Sequence, residues 1–287
     1  MAPENQISLF DNSGIDKPDQ LGHASITYQQ VGTLLNKTSG FMASYDYSLN
    51  PYSGCAFGCT YCYAAFFARD NAKKEQWGHW VNVKDNALAL LKKFRHKPIT
   101  GKTVYMSSVT DPYQPIEKKI ELTRDILKEL LTYHQPRLVI QTRSSLVTRD
   151  IDLLRQFKTV QVNMTITTDS ERVRKVFEPF CPANKVRLQA IKEVFDNGIN
   201  SCITITPLLP IENPHHFSTS LLETGIKKFI IQPFHQDRGK FTDGTRQEAL
   251  RLLEEFSWTR ERYQEVERII KTYIPDIGIG KEGFKPI

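Results

Sequence analysis

NPYSGCAFGCTYCYAA, residues 50–65, decides how the rest of the chain is read. It sets Cys55, Cys59 and Cys62 in a CxxxCxxC spacing, inside a loop rich in glycine and aromatic side chains. Cysteines this dense serve as metal ligands, a disulfide or a redox pair. Three thiolates leave one corner of a tetrahedral or cubane centre open. Iron–sulfur clusters are normally held by four cysteine thiolates, so a set of three suggests one iron left for another ligand. Zinc would want a fourth protein ligand at short spacing, and the nearest histidine, His79, lies outside the loop. A disulfide would leave one thiol of the three unpaired, and nothing else suggests an oxidising compartment. A redox CxxC could use Cys59 and Cys62, but Cys55 would then have no role.

The chain has 287 residues, 40% hydrophobic and 24% charged, which is the balance of an ordinary soluble globular protein. One α/β barrel of about 200–250 residues with extensions fits this length better than two separate domains. No apolar run approaches the roughly 20 residues that span a bilayer, so no membrane partner is expected. The opening MAPENQISLF lacks the basic start and apolar core of a signal peptide. The cytoplasm is therefore the expected location, and its reducing conditions suit an iron–sulfur protein. A monomer or weak dimer is expected. Cys181 and Cys202 read as small apolar fillers. A net charge of +6 permits a polyanionic partner without demanding one.

Working outward, residues 1–40 read as an irregular N-terminal arm, with turn chemistry at Asn12-Ser13-Gly14 and Lys17-Pro18-Asp19. Strands are expected at 45–49, 103–109, 137–142, 160–167, 202–207 and 228–233. Helical patterns occupy 63–69, 83–94, 122–131, 150–157, 184–195, 217–223 and 246–273. From 160 to 167, Val160, Val162, Met164 and Ile166 alternate with Gln161, Asn163, Thr165 and Thr167. The polar side of that strand is expected to line a wet cavity. Strands alternating with helices imply a parallel sheet. The expected fold class is α/β: a partial (β/α)6 barrel at 41–240, after the arm at 1–40, with a C-terminal helix and tail at 241–287. Barrels of this kind place function at the C-terminal ends of the strands. TDPYQP, TRS, TITT and TPLLP all fall there.

The cysteine loop, with aromatic Tyr61 directly before its last cysteine, resembles that of the radical S-adenosylmethionine (SAM) superfamily. A closer resemblance, to the branch related to spore photoproduct lyase (DNA repair photolyase-like), is carried by several stretches. These are SGFMASYDYSLNPYSGCAFGCTYCYA (39–64), SSVTDPYQPIEKKIELTRDILKELL (107–131), TRSSLVTRDIDLL (142–154), TITTDSERVRKVFEP (165–179), TPLLP (206–210) and EGFKP (282–286).

The resemblance implies a radical SAM barrel in which Cys55, Cys59 and Cys62 bind a [4Fe–4S] cluster. S-adenosylmethionine would chelate the remaining iron, and its reductive cleavage would yield a 5′-deoxyadenosyl radical that abstracts hydrogen. Tyr61 would lie near the SAM adenine. Thr110 or Asp111, with Arg143 and Thr167, would hold its amino acid end; an arginine suits a carboxylate through paired hydrogen bonds. Tyr61 and Tyr63 flank Cys62 as two tyrosines linked to radical relay do in the lyase. An external flavodoxin- or ferredoxin-like electron donor is implied. The lyase also has a hydrogen-returning cysteine near the end of the second strand, where this chain reads Ser107-Ser108-Val109-Thr110. Spore photoproduct repair in its known form is therefore not expected. The substrate is unknown, with a nucleic acid base as the candidate class. Tyr113, Phe234, Trp77 and Trp80 read as exposed rings available for stacking. The alternatives are a non-catalytic iron–sulfur or zinc barrel that binds nucleic acid or a protein, and a cysteine-based redox protein.

Overall fold

Residues that alternate in sequence end on opposite faces of a strand, and this rule organises the central sheet. The computed structural model describes residues 17–68, 70–234 and 246–287. The opening decapeptide, the Asn12–Gly14 turn, the end of the 63–69 run at Arg69 and the 240/241 boundary lie outside the described residues.

Twelve strands occur among them. They are β1 (Gln20–Leu21), β2 (Ala24–Gln29), β3 (Leu35–Lys37), β4 (Tyr47–Leu49), β5 (Tyr52–Gly54), β6 (Trp80–Lys84), β7 (Thr103–Met106), β8 (Arg137–Thr142), β9 (Val160–Thr165), β10 (Asn200–Leu208), β11 (Lys228–Pro233) and β12 (Gly278–Ile279). The larger sheet runs β12-β11-β10-β9-β8-β7-β4-β3. Every pairing from β4 to β12 is parallel, and only β3 is antiparallel, to β4. The six expected strands are β4 and β7–β11. The edges β3 and β12 do not pair with each other, so the sheet remains an open, partial barrel.

One face of this sheet carries Val104, Met106, Leu138, Ile140, Val162, Met164, Ile203 and Ile205 into the main core, against Ile126, Leu127, Ile191 and Val194 from the intervening helices. On the opposite face Tyr105, Val139, Cys202 and Ile230 pack with Tyr45 and with Phe284 of the C-terminal tail. The polar residues expected to line a wet cavity are instead buried. Parallel register sets Thr165 beside Thr204, and their hydroxyls lie 3.0 Å apart. Gln141 donates to both, at 2.7 and 3.0 Å, and accepts from Tyr105 Oη at 2.8 Å. Buried polar groups are tolerated because they satisfy one another.

Three expectations about the flanks change. The stretch read as irregular contains β1 and β2, which join β6 and β5 in a second sheet, ordered β1-β2-β6-β5. The 83–94 pattern is also interrupted: Trp80–Lys84 is strand, and only Ala87–Lys92 is α-helix. The 246–273 run divides into Gln247–Glu255 and Arg260–Tyr273. The break falls where Ser257 takes a positive φ of 47° and Thr259 caps the second helix by accepting from Arg262 N. Among the described residues no helix is long and apolar enough to cross a membrane.

Candidate metal and cofactor site

β5 ends at Gly54, and the cysteine loop leaves directly from it. Gly54 has φ +75°, and a Cβ there would lie 2.5 Å from the Trp80 ring. The neighbouring strand therefore fixes the start of the loop through a position that only glycine can fill.

The segment TDPYQPIE (110–117) grips this start. Thr110 Oγ1 donates to the Gly54 carbonyl at 2.6 Å. Gln114 Oε1 accepts from Ala56 N at 2.9 Å, and its Nε2 donates to Thr110 Oγ1 at 3.2 Å. Fully buried Glu117 accepts from the Tyr52 hydroxyl, from Thr123 N at 2.8 Å and from Arg149 Nη2 at 2.7 Å. The carboxylate thus joins the strand before the loop to the connection after β8.

A second grip comes from the helix Glu171–Phe177, capped by Ser170, and the turn that follows it. Thr60 N donates to the Phe177 carbonyl at 2.9 Å. Tyr61 Oη donates to Glu178 Oε1 at 2.5 Å. Cys59 Sγ lies 3.8 Å from Cys181 Sγ. Three consecutive loop residues are thereby held against one turn. Arg174 Nη1 fixes that turn by donating to the carbonyls of Glu178 and Cys181 at 3.2 and 2.9 Å.

Glu178 is the electrostatic hub. Besides Tyr61, it accepts from Thr167 Oγ1 at 3.0 Å, Arg143 Nε at 3.4 Å and Arg187 Nη2 at 2.5 Å. Burial alone would raise its pKa, but Arg187 and Arg143 outweigh burial and hold it at about 2. Arg143 Nη2 also donates to Tyr61 Oη at 3.0 Å. Asp111 is buried too and accepts from Tyr113 N, Thr142 Oγ1 and Arg143 N at 2.9, 2.8 and 2.7 Å.

The structure thus brings Tyr61, Arg143 and Thr167 together around Glu178, with Asp111 bonded to the Arg143 backbone and Thr110 under the cysteine loop. Sequence reasoning missed Glu178, Gln114, Glu117 and the contact of Cys181. The signals were the quoted VFEP and PYQPIE stretches, whose polar members are buried rather than solvated. Tyr63 is 43% exposed, its hydroxyl donating to Ser108 O, and Phe67 beside it is 62% exposed. The rings read from sequence as exposed are not: Tyr113, Trp77 and Trp80 are buried and Phe234 is half-buried. Trp77 and Trp80 meet edge to face at 5.7 Å.

The donor set fits an iron–sulfur centre. Cys55 and Cys59 are buried and Cys62 is half-buried. Hydrogen bonds to cluster-bound thiolates and their burial tune such centres. Burial raises the Cys55 pKa and pushes Cys62 up to about 12, so a metal must displace protons to bind. Among the described residues no three His, Cys, Asp or Glu side chains form a ready-made cage.

Comparison with known proteins places the chain in a family. The profile of the radical SAM superfamily matches residues 49–222. An uncharacterised protein of Methanocaldococcus jannaschii is 44% identical over 165 residues, 57% of this chain and 61% of the relative. An uncharacterised protein of Acidianus two-tailed virus is 31% identical over 202 residues, 68% of this chain and 64% of the relative. The chain thus spans less than two thirds of the length of either. Among solved structures, a spore photoproduct lyase variant with bound AdoMet and dinucleoside spore photoproduct superposes with a TM-score of 0.62 at 15% identity, covering 89% of this chain and 81% of that one.

Proposed function

This chain belongs to the radical SAM superfamily, and from that premise we propose that it is an enzyme abstracting hydrogen from its substrate. Cys55, Cys59 and Cys62 would hold a [4Fe–4S] cluster. When bound, the cluster and S-adenosylmethionine supply a 5′-deoxyadenosyl radical; this chemistry belongs to the cofactors.

The protein's part is to bind, orient and exclude water. Arg143 is the cation suited to the carboxylate of S-adenosylmethionine. Its present partner, Glu178, keeps Arg187, Thr167 and Tyr61 when Arg143 turns to a ligand. The exchange therefore leaves no buried charge unpaired, which would otherwise cost several kcal/mol. The observation that carries the reading is this convergence of Tyr61 and Arg143 on Glu178, beside a loop that holds Cys55, Cys59 and Cys62.

A nucleic acid base is the proposed substrate class. Exposed Tyr63 and Phe67 beside Cys62 offer faces for stacking, and the superposed lyase carries a dinucleoside ligand. Ser107 to Thr110 offer no thiol, so hydrogen return differs from that in the lyase. The reading calls for a reducing compartment such as the cytoplasm, and for an external flavodoxin- or ferredoxin-like donor.

The test is anaerobic reconstitution with iron and sulfide, then incubation with S-adenosylmethionine, dithionite and oligonucleotides with or without ultraviolet lesions. The expected result is a brown protein that forms 5′-deoxyadenosine and carries deuterium into it from labelled substrate. A colourless, zinc-bearing protein that leaves S-adenosylmethionine intact would end the reading.

A further inference from the structure

Cys181, read from sequence as a core filler, is 122 residues from Cys59, yet their sulfurs lie 3.8 Å apart. Both are buried. The contact is not incidental packing. Thr60 N to Phe177 O and Tyr61 Oη to Glu178 Oε1 fix the loop to the turn on the residues next to Cys59. Cys181 N bonds back to Glu178 O at 3.1 Å, and Arg174 holds the Cys181 carbonyl. The Cys59 sulfur thus contacts a thiol far away in sequence.

We propose that Cys59 and Cys181 form a reversible disulfide when the loop carries no metal, making Cys181 the resolving thiol for a cluster ligand. The oxidant is a peroxide. The Cys59 thiolate attacks one peroxide oxygen, the O–O bond breaks, hydroxide leaves, and Cys59 becomes a sulfenic acid. The Cys181 sulfur then attacks the Cys59 sulfur, its proton and the sulfenic oxygen leave as water, and the S–S bond forms. A dithiol reverses the reaction by exchange, becoming the cyclic disulfide as both cysteines regain their protons. The pairing halts Cys59 at a recoverable oxidation state, since sulfinic and sulfonic acids would end its service as a ligand. It also occupies the sulfur that iron must have. The pairing itself stands on the geometry; its effect on iron loading rests on the function proposed above.

The experiment uses the full chain, stripped of metal under reductant. The protein is treated with hydrogen peroxide, free thiols are alkylated, and the digest is mapped by mass spectrometry. The expected product is a cross-linked pair of peptides containing Cys59 and Cys181, lighter by two hydrogens and separated by dithiothreitol. Cys181→Ser should lose that product and drive Cys59 to sulfinic acid that dithiothreitol does not restore. A dominant Cys59–Cys62 bond, or Cys181 recovered fully alkylated after peroxide, would overturn the pairing. Both outcomes are read on the wild-type chain, so misfolding of the variant leaves the test intact. Oxidised protein should then take up iron and sulfide only after dithiothreitol. Equal uptake before and after would overturn the blocking role. Reduced protein that takes up no iron would instead count against the proposed function, leaving the disulfide standing.

Discussion

Gly58, within the cysteine loop, faces Gly78, in the turn before β6, so closely that a Cβ on Gly78 would lie 2.7 Å from the Gly58 Cα. Two backbones meet there with no side chain between them. The approach fixes the outer side of the loop, while Gln114 and Glu178 hold its other sides.

Gly78→Ala should therefore act on the loop from outside it. Gly78 has φ +101°, a region that side chains rarely adopt. Strain and overpacking together should cost roughly 2–4 kcal/mol. Urea unfolding should show the loss, and iron bound per chain after reconstitution should fall with it. Unchanged stability would mean that the two backbones separate easily.

Gln114→Ala removes the acceptor of a buried amide, Ala56 N. An orphaned buried donor costs about 1–3 kcal/mol. The midpoint of denaturation should drop accordingly, and the iron centre should be lost faster to a chelator than in the wild type. Equal chelation rates would show that the TDPYQPIE segment does not hold the loop.

Glu178 supplies a pH dependence. Its pKa falls from the ordinary 4.5 to about 2 because Arg187 and Arg143 outweigh the effect of burial. A carboxyl lowered on folding stabilises the protein above its unfolded value, and the gain disappears as pH falls through the folded one. The gain is on the order of 3 kcal/mol at most. Glu178→Gln should be much less stable than wild type at neutral pH, and the gap should narrow as pH drops from about 5 towards 2. A gap independent of pH would refute the ionic role.

Ser107, at the end of β7, has φ +73° and a buried hydroxyl without a partner. A left-handed conformation costs a non-glycine residue about 1–2 kcal/mol. Ser107→Gly should raise the melting temperature by a few degrees. A lower melting temperature would show that the serine is not strained.

The strand pattern was legible because periodicity is local. Val160 to Thr165 declares its two faces within six residues, and β10 repeats that polar alternation from Cys202. The cysteine spacing is equally local. What was illegible depends on partners far along the chain. Nothing within a few residues of Cys181 distinguishes a core filler from a thiol touching Cys59. Arg143 was read from its charge, but Glu178, which defines its surroundings, lies 35 residues on. The second sheet escaped notice because β2 and β6, whose pairing registers Ser25 with Trp80, become strands by meeting. Trp80 was misjudged because Gly54 makes room for its ring, and one-dimensional patterns do not show that space.

The two grips on the cysteine loop also set a timetable for biosynthesis. Residues 55–62 leave the ribosome well before Gln114, and about 120 residues before Glu178 and Cys181. At ordinary elongation rates that interval is roughly ten seconds. During it the three thiols are displayed on a nascent chain with no pocket behind them. The cradle around the three thiols is therefore complete only after translation has passed the FEPFC turn.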